Sequence, residues 1–146
     1  MDYVELSAGK LDVDTLLAKV GSPDCGAISL FLGTTRNHFE GKRVCKLSYE
    51  AYSPMAKREM LRICGSVRRQ WRVKNVVLIH RLGDVPVGEA SVVIAISSEH
   101  RQEAQDAVKY AIDEVKRRVP VWKKEHYDDG DQEWKENKEC FWIARR

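Results

Sequence analysis

Apolar positions recur along the chain with two periods, and the changes between them outline its elements. Tyr3 to Ser7 has the makeup of a first strand. Asp12 then stands as a helix N-cap, with Val13, Leu16, Leu17 and Val20 following at helical spacing. Gly21-Ser22-Pro23-Asp24 breaks that helix. Gly26 to Gly33 is a short, mostly apolar run and reads as a buried central strand. Thr34 to Lys42 is a polar, hairpin-like loop turning at Gly41, with Arg36 at the mouth of the preceding strand. Val44 to Tyr52 alternates: Cys45, Leu47, Tyr49 and Ala51 fall on one face, Lys46, Ser48 and Glu50 on the other.

Ser53-Pro54 reads as a helix start, serine as N-cap and proline in the first helical position. Ala56, Met60, Ile63, Cys64, Val67 and Trp71 form its apolar stripe, and Lys57, Arg58, Arg62, Arg68 and Arg69 its solvated side. Val76 to Ile79 is an apolar strand ending in His80-Arg81-Leu82-Gly83. Gly83-Asp84 and Val87-Gly88 mark turns, and Ala90 to Ser97 is a further strand. Ser97-Ser98 leads into a long helix whose buried face is Ala104, Ala107, Val108, Ala111, Ile112, Val115 and Val119. Pro120 stops it. The predicted order is β-α-β-β-α-β-β-α with a loop-rich tail. That order implies one α+β domain over residues 1–146, a mostly antiparallel sheet with flanking helices.

Charge changes the picture at the end of the long helix. Lys116, Arg117 and Arg118 occupy its last turn, where cations suit the helix dipole. Trp122, Lys123, Lys124 and Glu125 follow the bend. An anion docked there meets several donors at once. Solvated surface charge is the ordinary alternative for any such cluster. Elsewhere the balance is mild: the formal net charge is +3, short of the bias of a dedicated nucleic-acid binder. No apolar run reaches the ~20 residues of a membrane span. The acidic start Met1-Asp2-Tyr3-Val4-Glu5 is unlike a signal peptide. Cys25, Cys45, Cys64 and Cys140 contain no C-x-x-C pair, which argues against a zinc site. Reduced thiols in a cytosolic setting are the natural reading, with Cys45 and Cys64 in the core.

The ordered motifs resemble the molybdopterin synthase catalytic (large) subunit family. They are Phe31-Leu32-Gly33-Thr34-Thr35-Arg36-Asn37, Tyr49-Glu50-Ala51-Tyr52 with Met55-Ala56, His80-Arg81-Leu82-Gly83, Val87-Gly88-Glu89-Ala90-Ser91-Val92, Ser98-Glu99-His100-Arg101 and Val119-Pro120-Val121-Trp122-Lys123-Lys124-Glu125. No one of them is specific; the set, in order over about residues 25–134, is. Cys140-Phe141-Trp142 is similar to animal members.

The resemblance implies an α/β-hammerhead-like fold and a homodimer carrying a small ubiquitin-like subunit at each end, a heterotetramer. It implies that the partner's C-terminal Gly-Gly bears a thiocarboxylate and threads into a pocket of the large subunit. Sulfur then passes to cyclic pyranopterin monophosphate, and two transfers form the dithiolene of molybdopterin. Catalytic lysines map to Lys116 and Lys123, and substrate-binding positions to Arg36, His100, Arg101 and Lys138. No metal or cofactor is implied.

The chemistry suits those residue types. Guanidinium forks and an imidazolium pair with phosphate oxygens. A lysine whose charged form is disfavoured can move protons as the cyclic phosphate opens and oxygen leaves. Arg117 and Arg118 beside Lys116, and Lys124 beside Lys123, push in that direction. Lys116 is assigned to the thiocarboxylate and the transferred sulfur, Lys123 to the substrate's reacting end. Glu125 orients Lys123 or forms a surface ion pair. The partner brings the sulfur, so no protein thiol is needed. Two rivals stand beside this reading: a non-catalytic module gripping an acidic partner tail, and an RNA-binding domain using Lys57 to Arg69 with Trp71. Helix geometry adds an expectation. His100 and Lys116 lie at opposite ends of one helix, roughly 24 Å apart at 1.5 Å per residue, so one site using both draws on two subunits, with Arg36, Lys116 and Lys123 from one chain and His100 and Arg101 from the other, unless the helix breaks or His100 is only a helix-start residue.

Overall fold

The computed structural model describes residues 1–128, 130 and 132–136, the last five by backbone alone. Lys138 and Cys140 lie outside the described residues. The elements are β1 (Asp2–Ser7), α1 (Val13–Val20), β2 (Ala27–Thr34), β3 (His38–Phe39), β4 (Lys42–Ala51), α2 (Ser53–Gln70), β5 (Val76–Arg81), β6 (Gly83–Pro86), β7 (Ala90–Ser98), α3 (Arg101–Arg118), β8 (Val121–Tyr127) and β9 (Gln132–Glu136). One sheet has the order β1-β5-β7-β2; the other runs β3-β4-β8-β9, with β6 also paired to β4. The pairing is antiparallel except for β1 beside β5. This is the α+β, mostly antiparallel architecture that the pattern predicts.

The first sheet separates two apolar layers. Val76, Leu78, Val92, Ile94 and Ile96 face α2 and α3, meeting Met60, Ile63, Val67, Ala107, Ala111 and Val115. Val77, Ile79, Val93 and Ala95 face α1 and its Leu16 and Val20. Strands β5 and β7 are therefore buried on both faces, which is why they read as unbroken apolar runs. Arg68, on the expected solvated side of α2, ties down the chain start: it donates to Asp2 Oδ1 at 2.7 Å and to the carbonyls of Met1, Val73 and Lys74.

Several expectations are corrected. The run at 26–33 is not a central strand: β2 lies at the sheet edge, and Ile28, Leu30 and Leu32 are 46%, 37% and 39% exposed. Apolarity marks a surface to be covered; it does not say which chain covers it. The described part of the tail is mostly strand: Val121–Tyr127 forms β8 in register with β4, and Gln132–Glu136 forms β9. The Gly83 turn opens directly into β6, which pairs with residues 46–49 of β4. Tyr52, not Ser53, is the N-cap of α2, with no side-chain cap bond. Cys45 is exposed, its thiol 2.7 Å from Asp128 Oδ1. A register shift between Val44 and Lys46 interrupts the alternation there and buries Val44 in its place. Cys64 is buried as expected.

Candidate active site

Helix α3 runs antiparallel to β7, so its last turn returns to the end of the sheet where β2 and β5 finish and β7 begins. Val119 caps the helix in an extended conformation, and Pro120 leads straight into β8. The bend thus puts Lys116 on a helix terminus and Lys123 on a strand, a few residues apart. Arg36 follows β2 at this same end. Its neighbour Thr35 is bonded through backbone to Glu89 and Gly88 at 3.1 and 2.9 Å. Gly33 is required where β2 meets β7, because a Cβ there would lie 2.6 Å from Val92 Cγ1. The buried Thr35 Oγ1 has no hydrogen-bond partner among the described residues.

The β8 alternation places Lys123, Glu125 and Tyr127 on one face. Lys123 is opposite Tyr49, and Glu125 opposite Leu47. Glu125 is 1% exposed, so it is no surface ion-pair partner. Its carboxylate accepts from Tyr127 Oη at 2.5 Å and lies 3.9 Å from Lys123 Nζ. Lys123 also sits over the Phe39 ring, 5.8 Å from its centroid. The Lys123 side chain is 35% exposed, so about two thirds of it lies within the fold. Arg117 and Arg118 pair with carboxylates of their own, Glu114 at 2.8 Å and Glu59 at 3.2 Å. Each pairing offsets much of the repulsion those arginines were expected to exert on Lys116.

His80 closes β5, beside Tyr49, which pairs in register with Lys123. Its Nδ1 is 2.8 Å from the Arg81 carbonyl, and the Tyr49 ring meets it edge-on at 4.9 Å. Burial pushes its pKa down to about 4; the bond to Arg81 opposes this and the nearby Lys116 charge adds to it. The Tyr49 phenol is raised by burial, chiefly, against its hydrogen bond with Ser91. Ser91 Oγ in turn donates to the Gly33 carbonyl at 3.3 Å. Behind these, Arg81 pairs with Glu89 at 2.8 Å. Neither His80 nor Tyr49 was assigned a role from sequence, though a histidine closing an apolar strand was a signal to follow.

The acid response of the fold follows from His80. Its folded pKa is depressed, so stability is complete above about pH 6.5 and falls as the unfolded chain takes up the proton first. The slope is roughly 1.4 kcal/mol per pH unit over that window. Between about pH 7 and 5, urea unfolding should lose on the order of 2 kcal/mol. His80→Phe should remove most of this, leaving the part due to His126, also lowered chiefly by burial. An unchanged pH dependence in His80→Phe would show that the imidazole is not held neutral.

His100 and Arg101 are elsewhere. Helix α3 is unbroken from Arg101 to Arg118, which leaves His100 roughly 24 Å from Lys116. His100 occupies the N-cap without a side-chain cap bond, and its Nε2 reaches only the exposed Glu99 carboxylate at 3.6 Å. One chain therefore assembles Arg36, Lys116 and Lys123 at one end of the sheet and holds His100 and Arg101 at the other.

The fold is an α+β arrangement in which a helix end and a strand carry lysines at a partly buried corner. Residues 6–118 match the family described as MoaE protein, and the chain belongs to that family. It is 56% identical over 143 residues to the molybdopterin synthase catalytic subunits of Bos taurus and Homo sapiens, covering 98% of this chain and 76% of each relative. Among solved structures, molybdopterin synthase from Staphylococcus aureus superposes with a TM-score of 0.85 at 30% identity, over 91% of this chain and 96% of that one. A Helicobacter pylori complex of subunits 1 and 2 of molybdopterin-converting factor shares the fold at 21% identity, with a TM-score of 0.75 over 94% and 92% of the two chains.

Proposed function

We propose that this chain is the catalytic subunit of a molybdopterin synthase. It transfers sulfur from the C-terminal thiocarboxylate of a small ubiquitin-like partner to cyclic pyranopterin monophosphate, forming the dithiolene of molybdopterin in the cytosol. What supports the reading is the run of neighbours from the Lys116 helix end through His80 and Tyr49 to Lys123 and the buried Glu125. Lys116 receives the thiocarboxylate and the transferred sulfur. Lys123, steadied by Glu125, serves the substrate's reacting end, and Arg36 holds phosphate oxygens. A module that only grips an acidic tail has no use for a lysine steadied by a buried carboxylate.

The active site is completed by a second copy. Ile28, Leu30 and Leu32 form an exposed apolar row on the edge strand β2, a surface suited to an identical partner. Two-fold antiparallel pairing of β2 sets the Ala27 end of one strand beside the Thr34 end of the other. His100 and Arg101 of one chain then reach Arg36, Lys116 and Lys123 of its partner, with Lys138 as a further substrate contact.

Reconstitution tests the reading: the chain, a thiocarboxylated partner and the pterin should yield a dithiolene product, and absence of product from well-folded components would overturn it. The four cysteines are dispensable for this step. Cys64, pushed up to about 12 chiefly by burial, stays a protonated thiol. With all four replaced by alanine, transfer per folded molecule should stay within about twofold, while the Cys64 change costs roughly 1 kcal/mol of stability. Loss of transfer without loss of folding would reveal a persulfide carrier.

A further inference from the structure

The last turn of α3 carries Lys116, and its own backbone holds it weakly. A helical carbonyl is normally met by the N–H four residues on. For the Lys116 carbonyl that position is Pro120, which has no N–H to give. The Val121 N–H turns back to the Val119 carbonyl at 2.9 Å instead of continuing the helix. The Val119 amide, bonded to the Val115 carbonyl at 3.1 Å, is therefore the last to close a helical turn. What fixes this end is tertiary. Val115 and Val119 pack in the core, and Arg118 reaches across to Glu59 of α2. Its Nε and Nη2 both meet Glu59 Oε2, at 3.3 and 3.2 Å. Glu59 Oε1 accepts from Arg62 of its own helix at 2.6 Å, so both carboxylate oxygens are engaged. The Glu59 and Arg118 side chains are only 13% and 20% exposed, which limits screening of the pair by solvent.

We propose that Glu59 is a positioning residue for sulfur transfer: by holding Arg118 it fixes the last turn of α3, and so the place of Lys116 relative to Lys123 on β8. The connectivity makes this hold effective. Helix α2 begins one residue after β4, and Ala51 at the end of β4 pairs with Val121 at the start of β8. The end of α3 thus reaches β8 twice, directly through Pro120 and again through Glu59, α2 and β4. Two residues are about 200° of helical turn, so Arg118 and Lys116 leave α3 on opposite sides and the hold is passed on through the backbone. A misplacement of about 1 Å in a reacting group costs on the order of 10²-fold in rate. The Glu59 carboxylate also balances one of three successive cations in that turn, Lys116, Arg117 and Arg118. The inference rests on the function proposed above for what the lysines do; the hold on the helix end is independent of it.

Amide exchange and kinetics test it separately. In Glu59→Gln the Val119 amide should exchange about tenfold faster relative to Ala107 and Ala111 in mid-helix. Unchanged relative protection of Val119 overturns the proposal. In reconstitution, Glu59→Gln should lower kcat per folded molecule by about tenfold, with KM for the pterin within about twofold of wild type. Arg62→Gln removes the other partner of the same carboxylate but leaves the link to α3, and should keep kcat within about twofold. The swapped pair, Glu59→Arg with Arg118→Glu, should recover most of the loss. Equal losses in Glu59→Gln and Arg62→Gln, or a swapped pair no better than Glu59→Gln, mean a structural role only and overturn it. If wild-type reconstitution gives no dithiolene, the proposed function fails, while exchange at Val119 still decides whether Glu59 holds the helix end.

Discussion

Lys116→Ala is expected to abolish dithiolene formation while leaving the fold intact. The residue is exposed in the last turn of α3, and the core beneath it is made by Val115 and Val119, so truncation leaves no cavity. Loss of a catalytic group at the transferred sulfur costs about 10²–10⁴-fold in rate, or roughly 3–5 kcal/mol of transition-state stabilisation. Single-turnover sulfur transfer should therefore fall by at least that factor, with the thermal midpoint within a few degrees of wild type. Lys123→Ala should be severely impaired yet keep some activity, because Arg36 and Lys116 still hold the reactants. Normal turnover by well-folded Lys116→Ala protein would sink the assignment.

Two inactive proteins should regain activity on mixing. Lys116→Ala and His100→Ala, each severely impaired alone, form a heterodimer in which one site has lost both residues and the other has lost neither. Random exchange at equal concentrations restores about a quarter of wild-type activity, since half the dimers are mixed and each has one working site. The geometry behind this is firm on two counts: α3 does not break between the two residues, and β2 separates Arg36 from His100 by its whole length, about 24 Å. If subunit exchange is verified by mass and activity stays absent, the site does not straddle two chains.

Both results turn on how much of the site was visible before folding. Short-range physics wrote the helices plainly. Asp12 accepts from Asp14 and Thr15 as an N-cap should, Pro54 opens α2, and Pro120 closes α3. The amphipathic stripes of α2 and α3 are the residues that meet in the core. The Glu40-Gly41 turn adopts positive φ at both positions, the hairpin that Gly41 signalled. The assignments of the lysines, Arg36, His100 and Arg101 came from the resemblance of the ordered motifs to one family, not from local periodicity. The α3 pattern by itself also implied that His100 and Lys116 are too far apart to meet within one chain.

What the sequence could not decide is set by pairings across long separations. An apolar run such as 26–33 looks the same whether its own chain or another covers it, so only the sheet order shows β2 as an edge. Residues 121–127 are dense in charge and local rules read them as loop; pairing with β4, some seventy residues earlier, makes them a strand. That pairing sends Lys123 and Glu125 inward together and turns an apparent surface carboxylate into a buried one. The bulge at Cys45 reverses a face that strict alternation had assigned inward. His80 is held neutral only where β5 and β4 meet, because burial and neighbouring charge are properties of the assembled corner.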